Sequence, residues 1–327
     1  MIFQNAVSLS EKSRGMLKEE KTFAANRKIA PGVNTAMKAD ETGARFAAGA
    51  EDVILPAPPA GGNKFREIDR AYAAVRNVSD VEQKEIRNVV MGVLSPTLRE
   101  KYLTLNYHRA GLNVELLLTL KDTRQFQAIA LLARTIFELA VEVKLISLNA
   151  DAAEKIDVAT RIETLRYAKN VVTFKSRHPD SNVPVQDCVA FVAMHEKSIL
   201  AEQNAMWPGV KDLTHWTMKK LPRRVALVGD PFEQMYEMHY APLSWYSHGG
   251  VTGLSEPNTE LFAFFAGIAY KIAGESYIQL LEVIINEFKL FCADPTLKDK
   301  LSCAKLVAYA NNQEEADVIL RAHGLTR

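Results

Sequence analysis

The sequence predicts an all-α protein: a multi-helix bundle around one central apolar helix at about residues 122–148. Three observations carry that expectation. No stretch shows the period-two alternation of a half-buried strand. From residue 64 onward the apolar residues recur near helical spacing. Start and stop signals such as Ser95-Pro96, Asp230-Pro231, Glu256-Pro257 and Gly249-Gly250 punctuate that pattern. At 327 residues, 48% hydrophobic and 24% charged, the chain can build a large core and is neither disordered nor fibrous overall.

Residues 1–63 stand apart as a flexible or partner-binding N-terminal arm. They show no sustained period and end in ILPAPPAGGN, where proline and glycine stop regular structure. Residues 64–327 form the helical domain. In it, Ser79-Asp80 is expected to cap a helix through Met91. Ser95 is the expected N-cap, and Pro96 the first residue, of a helix to about Leu120. Leu103, Leu112, Leu116 and Leu120 are its expected apolar face. Asp122 or Thr123 opens the central helix, and residues 152–174 and 185–206 carry two more. Trp207-Pro208-Gly209 breaks the pattern, and Pro222 opens a short helix to Val228. Asp230 caps the next helix, Glu256-Pro257 starts a long one through Phe291, and two short amphipathic helices finish the chain.

The central helix bears Ile129, Leu131, Leu132, Ile136, Phe137, Leu139, Val141 and Val143, apolar nearly all round. Such a helix belongs inside a bundle. Arg134, Glu138 and Glu142 interrupt it at steps of four, on one drifting stripe. A solvated stripe of weak ion pairs is one reading. The all-round apolarity favours the other, a partly buried cluster whose charges need partners.

Tyr240, Ser244 and His248 also recur every four residues. Pro242 falls between them and should kink the helix or restart it near Ala241. Gly249-Gly250 places His248 in a last helical turn, where the helix dipole favours imidazolium. There His248 suits proton donation or phosphate contact; the plainer alternative is a histidine that satisfies terminal carbonyls. Lys219, Lys220, Arg223 and Arg224, beside His215 and Trp216, form the densest basic cluster. It could hold phosphate or RNA by charge and stacking, or be solvated surface.

Several classes are excluded or unsupported. Lys plus Arg number 40 and Asp plus Glu 39, so a net charge of +1 gives no global field for nucleic acid. Cys188, Cys292 and Cys303 lie far apart, without zinc spacing, and read as free thiols of a cytoplasmic protein. No apolar run is long enough to span a bilayer, and the start lacks the pattern of a secretory signal. Nucleotide-binding loops, HExxH and a repeated carboxylate–histidine pattern are missing, so neither cofactor nor metal is expected.

The arginine helix ALLARTIFELAVEVKLI, followed by YAPLSWYSHGG, resembles an uncharacterised bacterial all-helical family of unknown function. Arg134 and Glu138 match its R-x3-E helix; Tyr240, Ser244, His248 and Gly249 match its later Y-x3-S-x3-H-G element. That family is distantly similar to HEPN-type domains, many of them ribonucleases or inactive relatives in toxin–antitoxin and anti-phage systems. The chain departs from that group in lacking an arginine followed by a histidine on one candidate helix. The resemblance implies a metal-independent ribonuclease or RNA-directed toxin with a catalytic set of Arg134, Glu138, Tyr240, Ser244 and His248. RNA, a protein bound through the arm and a second copy of the chain are the implied partners. The alternative is a non-catalytic adaptor or sensor in which the same cluster is structural.

Overall fold

The computed structural model describes residues 66–120, 122, 125–241, 243–244, 259–290, 297 and 301. The N-terminal arm, His248 and the closing helices expected from sequence lie outside the described residues. Among those residues the chain is helical and contains no strand. It divides into two compact units, one holding residues 161–205 and the other the remaining described residues.

In the larger unit, α1 (Arg66–Val81) passes through a π turn (Glu82–Ile86) into α2 (Arg87–Met91). No new helix starts at Ser79-Asp80, because Ala73, Ala74, Val75 and Val78 are buried in a continuous face there. Burial of an apolar face outweighs the local capping preference. Next comes α3 (Leu98–Thr119), capped by Thr97 rather than Ser95. Glu100 N–H donates to Thr97 Oγ1 at 3.2 Å, and Thr97 N–H donates to Glu100 Oε2 at 2.7 Å, a reciprocal capping box. The inner face of α3 is Tyr102, Leu103, Tyr107, Ala110, Gly111, Val114 and Leu117. Leu112 and Leu116 point outward, 51% and 52% exposed.

Central helix α4 (Phe126–Leu148) packs mainly on α9 (Thr259–Glu287) and on α3. It begins a few residues later than expected, after Gln125 N–H has closed a turn onto the Asp122 carbonyl. Phe126, Ile129, Ile136, Phe137, Val141, Val143, Leu145 and Ile146 are buried, while Leu131 is exposed. The helix is therefore a core element with one outward strip. Long helix α9 also lies against α1, where a Cβ on Gly274 would sit 3.3 Å from Val75 Cγ2.

Polar side chains close the helix ends. Arg99 donates to the Ser147 carbonyl at 2.7 Å and the Asn149 carbonyl at 3.1 Å, and holds both Glu287 oxygens at 2.9 and 3.1 Å. It thus satisfies carbonyls at the end of α4 and ties that end to α9. Tyr72 and Tyr270 donate to the Leu118 and Leu120 carbonyls and meet edge to face, with ring centroids 5.5 Å apart.

Helix α5 (Ala152–Arg177) leads from this unit into the smaller one and outruns its expected end at residue 174. In the smaller unit Arg161 pairs with Glu202, and Lys169 with Glu196, joining α5 to α6 (Gln186–Met206). Back in the larger unit, α7 (Leu221–Val228) carries Pro222 in its first turn, one residue after its start, and ends at Val228 as expected. Helix α8 (Phe232–Met235) runs straight into a second π turn, Tyr236–Tyr240. Asp230 does not cap α8; its carboxylate accepts from Gln234 Nε2 at 3.1 Å. The wide turn precedes Pro242, which has no N–H to return to residue 238, and it is the distortion that proline implies.

Candidate functional site

Arg134 and Glu138 lie one turn apart on α4, so their side chains meet on its outward strip. Arg134 Nε donates to Glu138 Oε1 at 2.8 Å. Tyr240, delivered by the second π turn, donates its hydroxyl to the same oxygen at 2.5 Å. Its ring lies under the Arg134 guanidinium, 5.3 Å from carbon to centroid, within cation–π range. Phe137 and Tyr236 flank that ring at 5.3 and 5.0 Å. The Arg134 and Glu138 side chains remain 22% and 35% exposed, so the cluster opens to solvent. Burial, then the hydrogen bond to Glu138, pushes the Tyr240 hydroxyl well above its ordinary range. Burial opposes the charge of Arg134, but Glu138 and Tyr240 outweigh it and hold the guanidinium protonated.

The structure thus brings together three of the five residues singled out as catalytic. Ser244 sits half-buried one helical turn beyond Tyr240. His248 lies outside the described residues.

The basic cluster divides. Lys219, Lys220 and Arg223 are exposed, whereas Arg224 turns inward. Its Nη1 lies 3.4 Å from Glu142 Oε2 and 2.9 Å from His215 Nε2. Glu142 is the next carboxylate along the α4 strip. It also accepts from Trp216 Nε1, and its Oε2 is 3.0 Å from His215 Nε2. Trp216 is itself fixed by Trp207, whose Nε1 donates to the Trp216 carbonyl at 3.2 Å. The strip is therefore polar over the two turns from Arg134 to Glu142, with a separate partner set at each carboxylate.

Sequence reasoning missed a third cluster. Glu82, 1% exposed, receives Arg87 Nε and Nη2 at 3.0 and 2.7 Å and the Tyr107 hydroxyl. Arg87 Nη1 reaches Glu115 at 2.5 Å. Burial raises the Tyr107 hydroxyl far above its ordinary range, and its bond to Glu82 adds to this. Tyr277 is fully buried beside them, and its hydroxyl makes no hydrogen bond. A Cβ at Gly111 would come 3.4 Å from that hydroxyl, so α3 passes close to Tyr277 there. The available signal was faint: Glu82 and Arg87 are five apart, a pairing that needs the π turn between them.

Among the described residues no group of three or more His, Cys, Asp or Glu side chains is placed to hold a metal ion. No helix among them is long and apolar enough to cross a membrane.

Residues 102–260 match the model of a family of unknown function, DUF5677. The match covers a little under half of the chain. It contains Arg134, Glu138, Glu142, His215, Arg224, Tyr240, Ser244 and His248, and leaves Glu82, Arg87 and Tyr277 outside. No curated protein and no solved structure matches the chain.

Proposed function

We propose that the chain is a metal-independent, HEPN-like endoribonuclease or RNA-directed toxin acting in the cytoplasm of a bacterium, in defence or toxin–antitoxin systems. One observation carries this reading: Arg134 is oriented at Nε by Glu138 and lies over the Tyr240 ring at a solvent-open position. A guanidinium held in this way suits charge developing on a phosphate, because its orientation is set before substrate arrives. Arg134 stabilises the phosphate, Glu138 orients Arg134 or His248, and Tyr240 and Ser244 position the phosphate. His248 exchanges a proton with the 2′-hydroxyl or the leaving oxygen. Lys219, Lys220 and Arg223 supply exposed charge for the RNA strand. The test incubates purified protein with total RNA beside the Arg134→Ala, His248→Ala double variant. Cleavage by wild type, reduced at least about a hundredfold in the variant, is expected; equal RNA integrity in the two samples counts against it.

A second reading, a non-catalytic adaptor or sensor, is favoured by one feature. Glu138 Oε1 accepts from both Arg134 and Tyr240, residues of different helical elements, so the cluster can act as a pin. In that case the N-terminal arm binds a protein partner, and deleting residues 1–60 removes it in a pull-down. The pin predicts that Arg134→Ala lowers the melting temperature while RNA stays intact with wild type and variant alike.

A further inference from the structure

We propose that Thr217, His215 and Glu142 form a second reaction centre, a nucleophile–base–carboxylate relay that accepts an acyl group from an ester on the Thr217 hydroxyl. Thr217 Oγ1 lies 2.8 Å from His215 Nδ1, and His215 Nε2 lies 3.0 Å from Glu142 Oε2. This is the order and reach that hydroxyl activation requires: a nucleophile on the base, and the base oriented by a third group.

Local backbone sets the geometry. Thr217 N–H lies 3.1 Å from His215 Nδ1, the contact of the tautomer that accepts at Nδ1 and turns Nε2–H to Glu142; Arg224 Nη1, a donor 2.9 Å from Nε2, competes with that tautomer. In that tautomer Nδ1 shares its one lone pair between the Thr217 N–H and the Thr217 hydroxyl, and it takes the hydroxyl proton as the N–H bond loosens. Lys219 N–H donates to Thr217 Oγ1 at 3.2 Å and occupies one lone pair, turning the hydroxyl proton toward the ring. The residue between them, Met218, has φ 59°, a left-handed conformation that is strained for a methionine. The Met218 N–H bond to the His215 carbonyl, at 2.9 Å, closes this turn. Trp216 is buried behind the ring and also donates to Glu142, which fixes the carboxylate. Thr217 is half-buried and is followed by exposed Met218, Lys219 and Lys220, so an ester can approach from solvent.

Proton transfer accompanies bond formation. As Thr217 Oγ bonds to the acyl carbon, its proton passes to Nδ1, and the ester C–O bond breaks. The departing oxygen takes that proton from Nδ1, or leaves as the anion while Nδ1–H gives the proton to solvent water, so Nδ1 is free again. Water then adds to the acyl carbon, gives a proton to Nδ1, and the Thr217 C–O bond breaks with return of the proton to Oγ. Thr217 and His215 are the catalytic residues, and Glu142 is a positioning residue.

The experiment uses the full chain and 4-nitrophenyl acetate. Intact-mass and peptide mapping are expected to find one acetyl group on Thr217. Thr217→Ala abolishes that adduct and Thr217→Ser retains it. His215→Gln slows its formation at least about tenfold. Glu142→Gln also slows it, and Glu142→Asp restores part of the rate, which a merely structural carboxylate would not. Wild type unfolded in urea provides a control that does not depend on any variant folding, and it must lose Thr217 labelling. No adduct on Thr217, acetylation confined to lysines, or equal labelling in the unfolded chain overturns the proposal.

Discussion

Glu138 and Glu142 show how one side-chain type takes different work from its neighbours. On successive turns of α4, the first is held by Arg134 and Tyr240 and the second by His215, Trp216 and Arg224. Glu275 on α9 presents the opposite case. It is 5% exposed, and Lys271 Nζ lies 3.8 Å from its Oε1. Burial raises its carboxyl to about 7, and the Lys271 charge only partly opposes this. The folded pKa lies above the unfolded value, so the protonated form favours folding. That contribution is complete below about pH 4.5 and fades as pH rises to about 7, a change of about 3 kcal/mol. Glu275→Gln is expected to remove the decline and to melt higher than wild type at pH 8. A series of melting curves from pH 4 to 8 checks it; parallel curves for the two proteins would contradict the assignment.

At the scale of the element, the first π turn does something an α-helix cannot. It brings Glu82 and Arg87, five residues apart, into a two-point ion pair inside the α1–α2 join, with Tyr107 of α3 on the same carboxylate. Removing the cation leaves a buried carboxylate with only a neutral donor. Arg87→Ala is expected to cost about 3 kcal/mol, and Arg87→Ala with Glu82→Gln less than that. Urea denaturation of wild type, both single variants and the double variant reads the difference; a double variant as unstable as the sum of the singles would show the pair to be uncoupled. Legibility in the sequence follows the same logic. Arg134 and Glu138 could be paired by eye, because a four-residue step is the α-helical repeat. Glu82 with Arg87 could not, because their spacing has meaning only once the turn is widened. Likewise Leu112 and Leu116 satisfied the helical period yet face outward, since period alone does not say which of two apolar stripes meets α4.

For the whole molecule, the near balance of 40 basic and 39 acidic residues leaves local charge to decide any contact with RNA. With Arg224 turned inward onto Glu142, the basic turn offers Lys219, Lys220 and Arg223 as exposed cations. Three phosphate contacts on a single strand give a slope of log affinity against log salt of about −2. Anisotropy titrations across salt concentrations measure it. The triple substitution of those residues by alanine should move the slope by about 2 toward zero, and a wild-type slope near −6 would mean that the RNA-facing surface lies elsewhere.

The helical class, the central position of residues 126–148 and the Arg134–Glu138 step are properties of the sequence by itself. Each follows from a local repeat: apolar residues at helical spacing, or charges four apart. Tertiary structure decided what those residues face. Tyr240 reaches Glu138 across 102 positions, and His215 reaches Glu142 across 73. No local pattern encodes such pairs, because they exist only when the π turn and the loop before α7 are folded against the strip of α4. The core of this protein was written in periodicity, whereas its polar chemistry depends on where packing places single side chains.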